Sequence, residues 1–339
     1  MKKATGKSIV DIGRLAGVSF ATVARALRSD PHVAKETAQK VYKAAYRLGY
    51  VQKRKNAHPV IGIFMPFGKL SFYAYESFYS VANEIMKRGW FFEILPARRK
   101  SRIKDQYLSG VINIFQGDDV AWNRNYSQPM ITYTAHKPML DNVYSIAEDG
   151  AHDVEKCVDY LWKLGHRRIG LLLNHSLEED LDSMEQRYKA FLDSMQQRGS
   201  ADPETNVFTN RDGALSSRID RLLENGVTAV IVIAEALGLQ VYRDLLRRGL
   251  KIPQDISLIT WEIPIVYENL YPSITAMQQN YIDWAKTACD LFESIWAGKE
   301  VSRSILIPGH LIIRESCAPP IVRKNTILER KIKKRNRKS

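Results

Sequence analysis

Residues 1–58 carry thirteen lysines and arginines against three acids, Asp11, Asp30 and Glu36, a local net charge of +10. Ammonium and guanidinium groups at that density suit a polyanion, because phosphate contacts give affinity without reading base sequence. One of these cations can do more. Arg25 falls one helical turn below Ala21 in a segment that opens after Ser19, and its donor fork matches guanine O6 and N7. Phe20, beside it, offers an apolar face to a thymine methyl. A second basic block, residues 323–339, carries +8, which leaves residues 59–322 at −5. Two basic ends around a mildly acidic middle are the electrostatic footprint of a nucleic-acid binder whose central body has another task.

The motifs of several enzyme classes are missing. The sequence holds no Gly-rich phosphate loop, no GxSxG, no HExxH and no CxxC pair, so neither a nucleotide enzyme nor a hydrolase is indicated, and no enzyme, cofactor or metal is expected. Cys157, Cys289 and Cys317 are far apart in apolar surroundings and read as core residues of a reducing compartment. His166, at a helix-to-strand turn, reads as structural. No run of 18 apolar residues occurs, and the basic amino terminus has no apolar stretch behind it, so a cytoplasmic protein is expected.

The elements that must hold Arg25 can be read from caps and spacing. Ser8-Ile9-Val10-Asp11 is a capping box. The helix it starts places Ile9, Ile12, Leu15 and Ala16 on one face and stops at Gly17, suited to a left-handed C′ position. Ser19 caps a second helix that buries Val23 and Leu27. A third helix, about Lys35–Leu48, buries Val41, Ala45 and Leu48 and ends at Gly49. Two short helices about a Gly-containing turn, braced by a third, form a helix-turn-helix. A small three-helix module for protein contacts is the alternative, and the +10 charge weighs against it.

Ser8-Ile9-x-Asp11-Ile12-x-x-Leu15-Ala16-Gly17-Val18-Ser19-x-x-Thr22-Val23-x-Arg25-x-Leu27, continued by Val33, Thr37, Val41, Ala44 and Leu48-Gly49-Tyr50, resembles the headpiece signature of the lactose-repressor (LacI/GalR) family. The resemblance implies that Phe20, Ala21 and Arg25 contact bases of double-stranded DNA and that Ser19 and Thr22 contact phosphates. It also implies a homodimer on a pseudo-palindromic operator, since one headpiece reads only a half-site. The linker departs from the family. Val51-Gln52-Lys53-Arg54-Lys55-Asn56-Ala57-His58-Pro59-Val60 is shorter than the family's hinge helix and has no leucine to wedge into the minor groove. Lys53, Arg54 and Lys55 are read as phosphate contacts.

Beyond residue 60 apolar runs recur at Ile61–Met65, Phe91–Leu95, Val111–Phe115, Met130–Tyr133, Ile169–Leu173, Val227–Ile233 and Ile256–Ile259, with helical patterns such as Val154, Val158, Leu161 and Leu164 between them. Such alternation predicts parallel sheets with helices on both faces. Leu164-Gly165-His166-Arg167-Arg168-Ile169, Ile252-Pro253-Gln254-Asp255-Ile256-Ser257-Leu258 and Ile313-Arg314-Glu315-Ser316 are similar to anchors of the same family's periplasmic-binding-protein-like core. The implied fold class is an all-α headpiece followed by a two-lobed α/β core. The expected division is a headpiece with linker over 1–58, a ligand-binding and dimerisation core over 59–318, and a basic disordered tail over 319–339. Lobe 1 spans about 60–165 and 281–306, lobe 2 about 166–280 and 307–318, so the chain crosses near 165, 280 and 307.

The resemblance places a small-molecule effector between the lobes. Arg187 matches the arginine that holds effector hydroxyls or carboxylates. Trp261-Glu262 supplies an aromatic platform and a carboxylate, Phe72 and Tyr73 match cleft-edge aromatics, and Gln279 matches a cleft-to-hinge glutamine. Glu235, in Ala234-Glu235, stands where the family often has Asn-Asp, and Thr134 where it has Asp. The reading is therefore a transcriptional regulator, a repressor, tuned by a sugar or polyol. Its alternative is a DNA-binding regulator with no small-molecule effector, whose core serves dimerisation or a protein partner. A transport-type sugar-binding protein is disfavoured by the basic headpiece.

Overall fold

The computed structural model describes residues 8–27, 30, 32–48, 50, 58–65, 71–96, 108–114, 128–133, 140–173, 181–261 and 263–321. Lys53, Arg54, Lys55, Thr134, Glu262 and the tail from Val322 onward lie outside them, as does most of the Val51–Val60 linker.

The headpiece consists of α1 (Ile9–Ala16), α2 (Phe20–Leu27) and α3 (Lys35–Arg47). Its core is Ile12, Val23, Ala26, Leu27, Val41, Tyr42, Ala44 and Ala45. Fully burying a side chain such as Val23 contributes about 1.5–3 kcal/mol, so three short helices are held by packing that none could supply alone. Leu15 departs from expectation, with 49% of its surface exposed. The buried arc of α1 runs through Ile9, Ile12, Gly13 and Ala16, and at 3.6 residues per turn Leu15 lies roughly 100° from its centre.

The rest of the chain forms two compact units, each built on its own sheet. The first contains β1 (Val60–Met65), α4 (Phe72–Lys87), β2 (Phe91–Pro96), β3 (Gly110–Asn113), β4 (Met130–Thr132) and β5 (Val143–Glu148). Its sheet runs in the order β11-β5-β4-β3-β1-β2, entirely parallel, with β11 (Ser304–Ile307) joining from late in the chain. Helix α10 (Tyr281–Trp296) packs beside α4 and buries Tyr281, Trp284, Ala285, Ala288, Cys289, Leu291 and Phe292. That three- and four-residue spacing is what an apolar stripe facing a core requires.

The second unit contains α5 (Gly150–Lys163), β6 (Ile169–Leu173), α6 (Leu181–Gln197), β7 (Val207–Phe208), α7 (Leu215–Glu224), β8 (Ala229–Ile233), α8 (Glu235–Arg247), β9 (Ser257–Trp261), α9 (Pro264–Tyr267), β10 (Thr275–Gln278) and β12 (His310–Ile312). Its sheet order is β12-β10-β9-β8-β6-β7, parallel except for β12 against β10. β8 is buried along its whole length, as a central parallel strand covered on both faces must be. The first unit ends at Gly150 and resumes at Gln279–Gly309. Most of α5, from Ala151 onward, groups with the second unit. The first turns of α6, residues 181–186, are also grouped with the first unit.

Chain order reverses between β1 and β3 in one sheet and between β6 and β8 in the other. Open parallel sheets bind ligands at the carboxyl ends of strands beside such a switch. Ser71, Phe72 and Tyr73 follow β1, and Ala234 and Glu235 follow β8. Among the described residues, no helix is long and apolar enough to cross a membrane, and no cluster of three or more His, Cys, Asp or Glu could hold a metal.

Candidate DNA-recognition helix and small-molecule site

Helix α2 is fixed from both ends. Ahead of it, Ser8 and Asp11 form the reciprocal cap of α1, Ser8 N–H donating to the carboxylate at 2.8 Å. Gly17 then takes φ 67°, a conformation costly for residues with a Cβ. Gly13 is equally necessary: a Cβ there would stand 2.9 Å from the Val18 carbonyl oxygen, whose own N–H donates to the Gly13 carbonyl at 3.0 Å. The turn closes because nothing projects from residue 13. Ser19 Oγ accepts the Thr22 N–H at 3.1 Å and its hydroxyl pairs with Thr22 Oγ1 at 2.8 Å. That pair uses one of two hydroxyl protons, leaving the other to donate to a phosphate.

With Val23, Ala26 and Leu27 facing the core, the opposite face of α2 presents Phe20, Ala21 and Arg25, all exposed, Phe20 to 60%. The far end is tied by Tyr42, whose hydroxyl donates to the Ala26 carbonyl at 2.7 Å inside the core. Beyond it, Asp30 accepts the His32 N–H and pairs with its ring nitrogen, each at 2.9 Å. The backbone donor, then the ring, then the charges of His32 and Arg25 hold its carboxyl below the usual range.

In the first unit, Phe72 and Tyr73 open α4 behind the cap of Ser71, whose Oγ accepts the Ala74 N–H at 3.2 Å. Tyr73 donates to the Tyr133 carbonyl at 3.1 Å, and its ring lies 6.0 Å from that of Tyr281 and 6.1 Å from that of Trp284. Tyr133 completes this aromatic group, 5.3 Å from Trp284 and buried; burial holds its phenol well above the ordinary value. Next to it, Tyr281 donates to Gln279 Oε1 at 2.5 Å and Gln279 Nε2 donates to the buried Glu148 carboxylate. The structure thus brings the expected Tyr73 and Gln279 together with Tyr133, Glu148, Tyr281 and Trp284. Sequence reading missed those four; Tyr281 and Trp284 share the apolar stripe of α10, a pattern that indicates only core.

In the second unit, Arg187 on α6 is 7% exposed and its guanidinium lies 5.7 Å from the centre of the Trp261 ring. Trp261 ends β9 and is itself buried. Sequence reading named Arg187 for effector oxygens and Trp261 as a platform beside Glu262, without pairing the two; the fold sets the guanidinium over the indole. Glu235 opens α8.

Comparison with known proteins gives two family matches. Residues 8–53 match the family described as bacterial regulatory proteins, lacI family, and residues 158–317 match the periplasmic binding protein-like domain. The HTH-type transcriptional regulator GanR of Bacillus subtilis (strain 168) is 22% identical over 340 residues, spanning 91% of this chain and 99% of that one. Among solved structures, the transcriptional regulator CelR in complex with cellobiose aligns with a TM-score of 0.63 at 20% identity, covering 91% of this chain and 99% of that one. The lac repressor dimer bound to operator and the anti-inducer ONPF aligns with a TM-score of 0.62 at 19% identity, covering 93% and 100%. Residues 8–53 thus belong to the lacI family of bacterial regulatory proteins and residues 158–317 to the periplasmic binding protein-like domain, the combination of a DNA-binding transcriptional regulator.

Proposed function

We propose that the protein is a repressor that binds a pseudo-palindromic operator as a homodimer and is controlled by a sugar or polyol. The observation that carries the DNA half is the exposure of Phe20, Ala21 and Arg25 together on a helix whose other face is locked in the headpiece core. On this reading Phe20, Ala21 and Arg25 contact bases, while Ser19, Thr22 and the linker cations Lys53, Arg54 and Lys55 contact phosphates. The lac repressor, similar in fold, is described as a dimer on operator DNA. A self-association face is supported by α4, where Tyr75 and Tyr79 stack with centroids 6.0 Å apart and each remains more than half exposed. Exposed aromatics at that spacing are unusual on a surface that stays wet.

The effector reading rests on Arg187 and Trp261, a fork of donors over an aromatic plane, which suits a hydroxyl-rich ring. On this reading Phe72, Tyr73, Glu235, Glu262 and Gln279 are further effector contacts. The relative solved with cellobiose supports a carbohydrate. One observation favours a second reading, a regulator without a small-molecule effector. The aromatic rings of the first unit pack on one another, and Tyr281, Gln279 and Glu148 hydrogen-bond in series, so that this strand edge is filled by the protein itself. The test has two arms. Selection of duplexes from a random pool, followed by footprinting, must return a two-fold symmetric site. Calorimetry against mono- and disaccharides must return at least one ligand. Failure of the second arm alone leaves the regulator standing without its effector.

A further inference from the structure

The second unit contains a buried arginine two of whose donors make no hydrogen bond. Arg218 stands in the first turns of α7, beside the buried Ile219 and Leu222, and is only 6% exposed. Its Nε and Nη1 are sealed from solvent and donate to no acceptor. Elsewhere the fold treats part-buried arginines differently. Arg88 pairs with Glu84, Asp290 and Glu293, Arg248 with Asp220 and Asp244, and Arg198 with Asp159. Burial of a guanidinium whose donors lack hydrogen-bond acceptors opposes folding, and desolvation pushes the Arg218 pKa down, offset only in part by the charge of Asp212. A donor set kept at that cost calls for an acceptor.

The surroundings indicate what kind. Side chains on a helix lean toward its amino terminus, so Arg218 reaches back over the first turn of α7. The N-cap there is Ala214, which supplies no side-chain cap, and the turn's amides carry the positive end of the helix dipole. The one carboxylate in the preceding loop, Asp212, accepts from the Thr209 N–H at 2.6 Å and the Thr209 hydroxyl at 3.0 Å; the charges of Arg221 and Arg218 add to those bonds in lowering its pKa, but neither arginine hydrogen-bonds to it. Arg221, three residues on and therefore on the same side of the helix, lies 4.2 Å from the Phe208 ring centre at the end of β7. Arg211 is exposed in the loop itself. Three arginines thus surround a helix start and one committed carboxylate.

We propose that the end of β7 and the first turn of α7 form a binding site for a small oxyanion, a phosphate or carboxylate group, with Arg218 as its buried anchor and Arg221 as its second arm. The site is separate from the residues assigned to the sugar or polyol, and its existence does not depend on that reading. Two arginines and a helix amino terminus give charge-assisted, forked donors to tetrahedral or planar oxygens.

The test uses the full-length protein in a chloride buffer, with thermal unfolding and calorimetry read against inorganic phosphate, glucose 6-phosphate and acetate in parallel. Wild-type protein is expected to gain melting temperature saturably with at least one of these, and the preferred anion separates a phosphate site from a carboxylate site. Arg218→Met keeps the apolar stem and removes the charge; it should lose the response, with affinity falling about tenfold or more. Arg221→Gln, at an exposed position, should weaken the response without threatening the fold. Arg243→Gln, on the exposed side of α8, should leave it intact. An undiminished response in both Arg218→Met and Arg221→Gln would overturn the proposal, since the anions would then be acting on the basic ends. So would a wild-type protein indifferent to all three anions.

Discussion

The Tyr42 hydroxyl donates to the Ala26 carbonyl oxygen over 2.7 Å, joining α3 to the last turn of α2 inside the headpiece core. A carbonyl in a final helical turn has no partner within its helix, and here it is buried away from water. Tyr42→Phe keeps the ring and leaves that oxygen unsatisfied, which should cost about 1–3 kcal/mol of headpiece stability. Hydrogen exchange should show faster exchange across α2 and α3 with the β6 and β8 amides unchanged. Equal protection in the variant would mean that water replaces the phenol at no cost.

Arg25 is exposed while its neighbours Val23 and Ala26 are buried. If it forks to a guanine, Arg25→Ala removes about 1–3 kcal/mol of discrimination between operator and random duplex at one salt concentration. A phosphate contact would instead weaken both duplexes alike and reduce the dependence on salt. The ratio of the two affinities decides between these roles.

Much of this was legible before any coordinates. The capping box at Ser8 and Asp11, the left-handed Gly17 and the buried Val23 follow from local rules that tertiary structure does not override. β6 and β8 were legible as unbroken apolar runs. β5 was not: Val143–Glu148 is buried at every position, yet Ser145 and Glu148 interrupt its apolar pattern, and their place becomes intelligible only with partners such as Gln279. β11 and β12 were missed for the opposite reason, being edge strands with exposed positions. The face of α5 predicts a helix but carries no mark of which sheet it covers. Arg218 was invisible because a lone arginine on an amphipathic helix reads as solvated until the fold buries it.

His166 gives the second unit a pH dependence. One ring nitrogen pairs with Thr228 Oγ1 at 2.8 Å and the other with the Ala318 carbonyl at 3.0 Å. Burial, the largest influence, lowers its pKa from 6.5, against the raising effect of the Ala318 carbonyl. The unfolded chain therefore binds this proton more readily than the folded one, and stability is fully present above pH 6.5 and declines as pH falls through 6.5 toward the lower folded value. Urea unfolding measured stepwise through that window should show the loss, and His166→Gln, which keeps a donor and an acceptor, should flatten it. A slope equal in both proteins would assign the acid sensitivity to other groups.

Tyr75 and Tyr79 supply the test of self-association. They lie one turn apart on α4 and stack at an interplanar angle of 14°. A lysine at Tyr79 would put a charge into any face that buries this pair in a second copy, while a monomer would scarcely register the change because the position is 53% exposed. Sedimentation equilibrium of Tyr79→Lys should shift toward the monomer, with melting of the dilute protein nearly unchanged. A dimer as tight as the wild type would place the contact elsewhere.

The effector reading turns on the plane of Arg187. Its guanidinium lies 5.7 Å from the Trp261 ring centre with both residues buried, a position in which burial restricts its motion. Lysine keeps the charge but has neither the plane nor the paired donors. Arg187→Lys should therefore lower affinity for any saccharide that calorimetry identifies by about 1.5–3 kcal/mol, the range for a hydrogen bond to a charged group. Operator affinity without ligand should stay close to that of the wild type, because Phe20, Ala21 and Arg25 are untouched. If saccharide affinity survives the change, Arg187 serves only to pack against Trp261. The binding groups must then be sought around Tyr73 and Gln279.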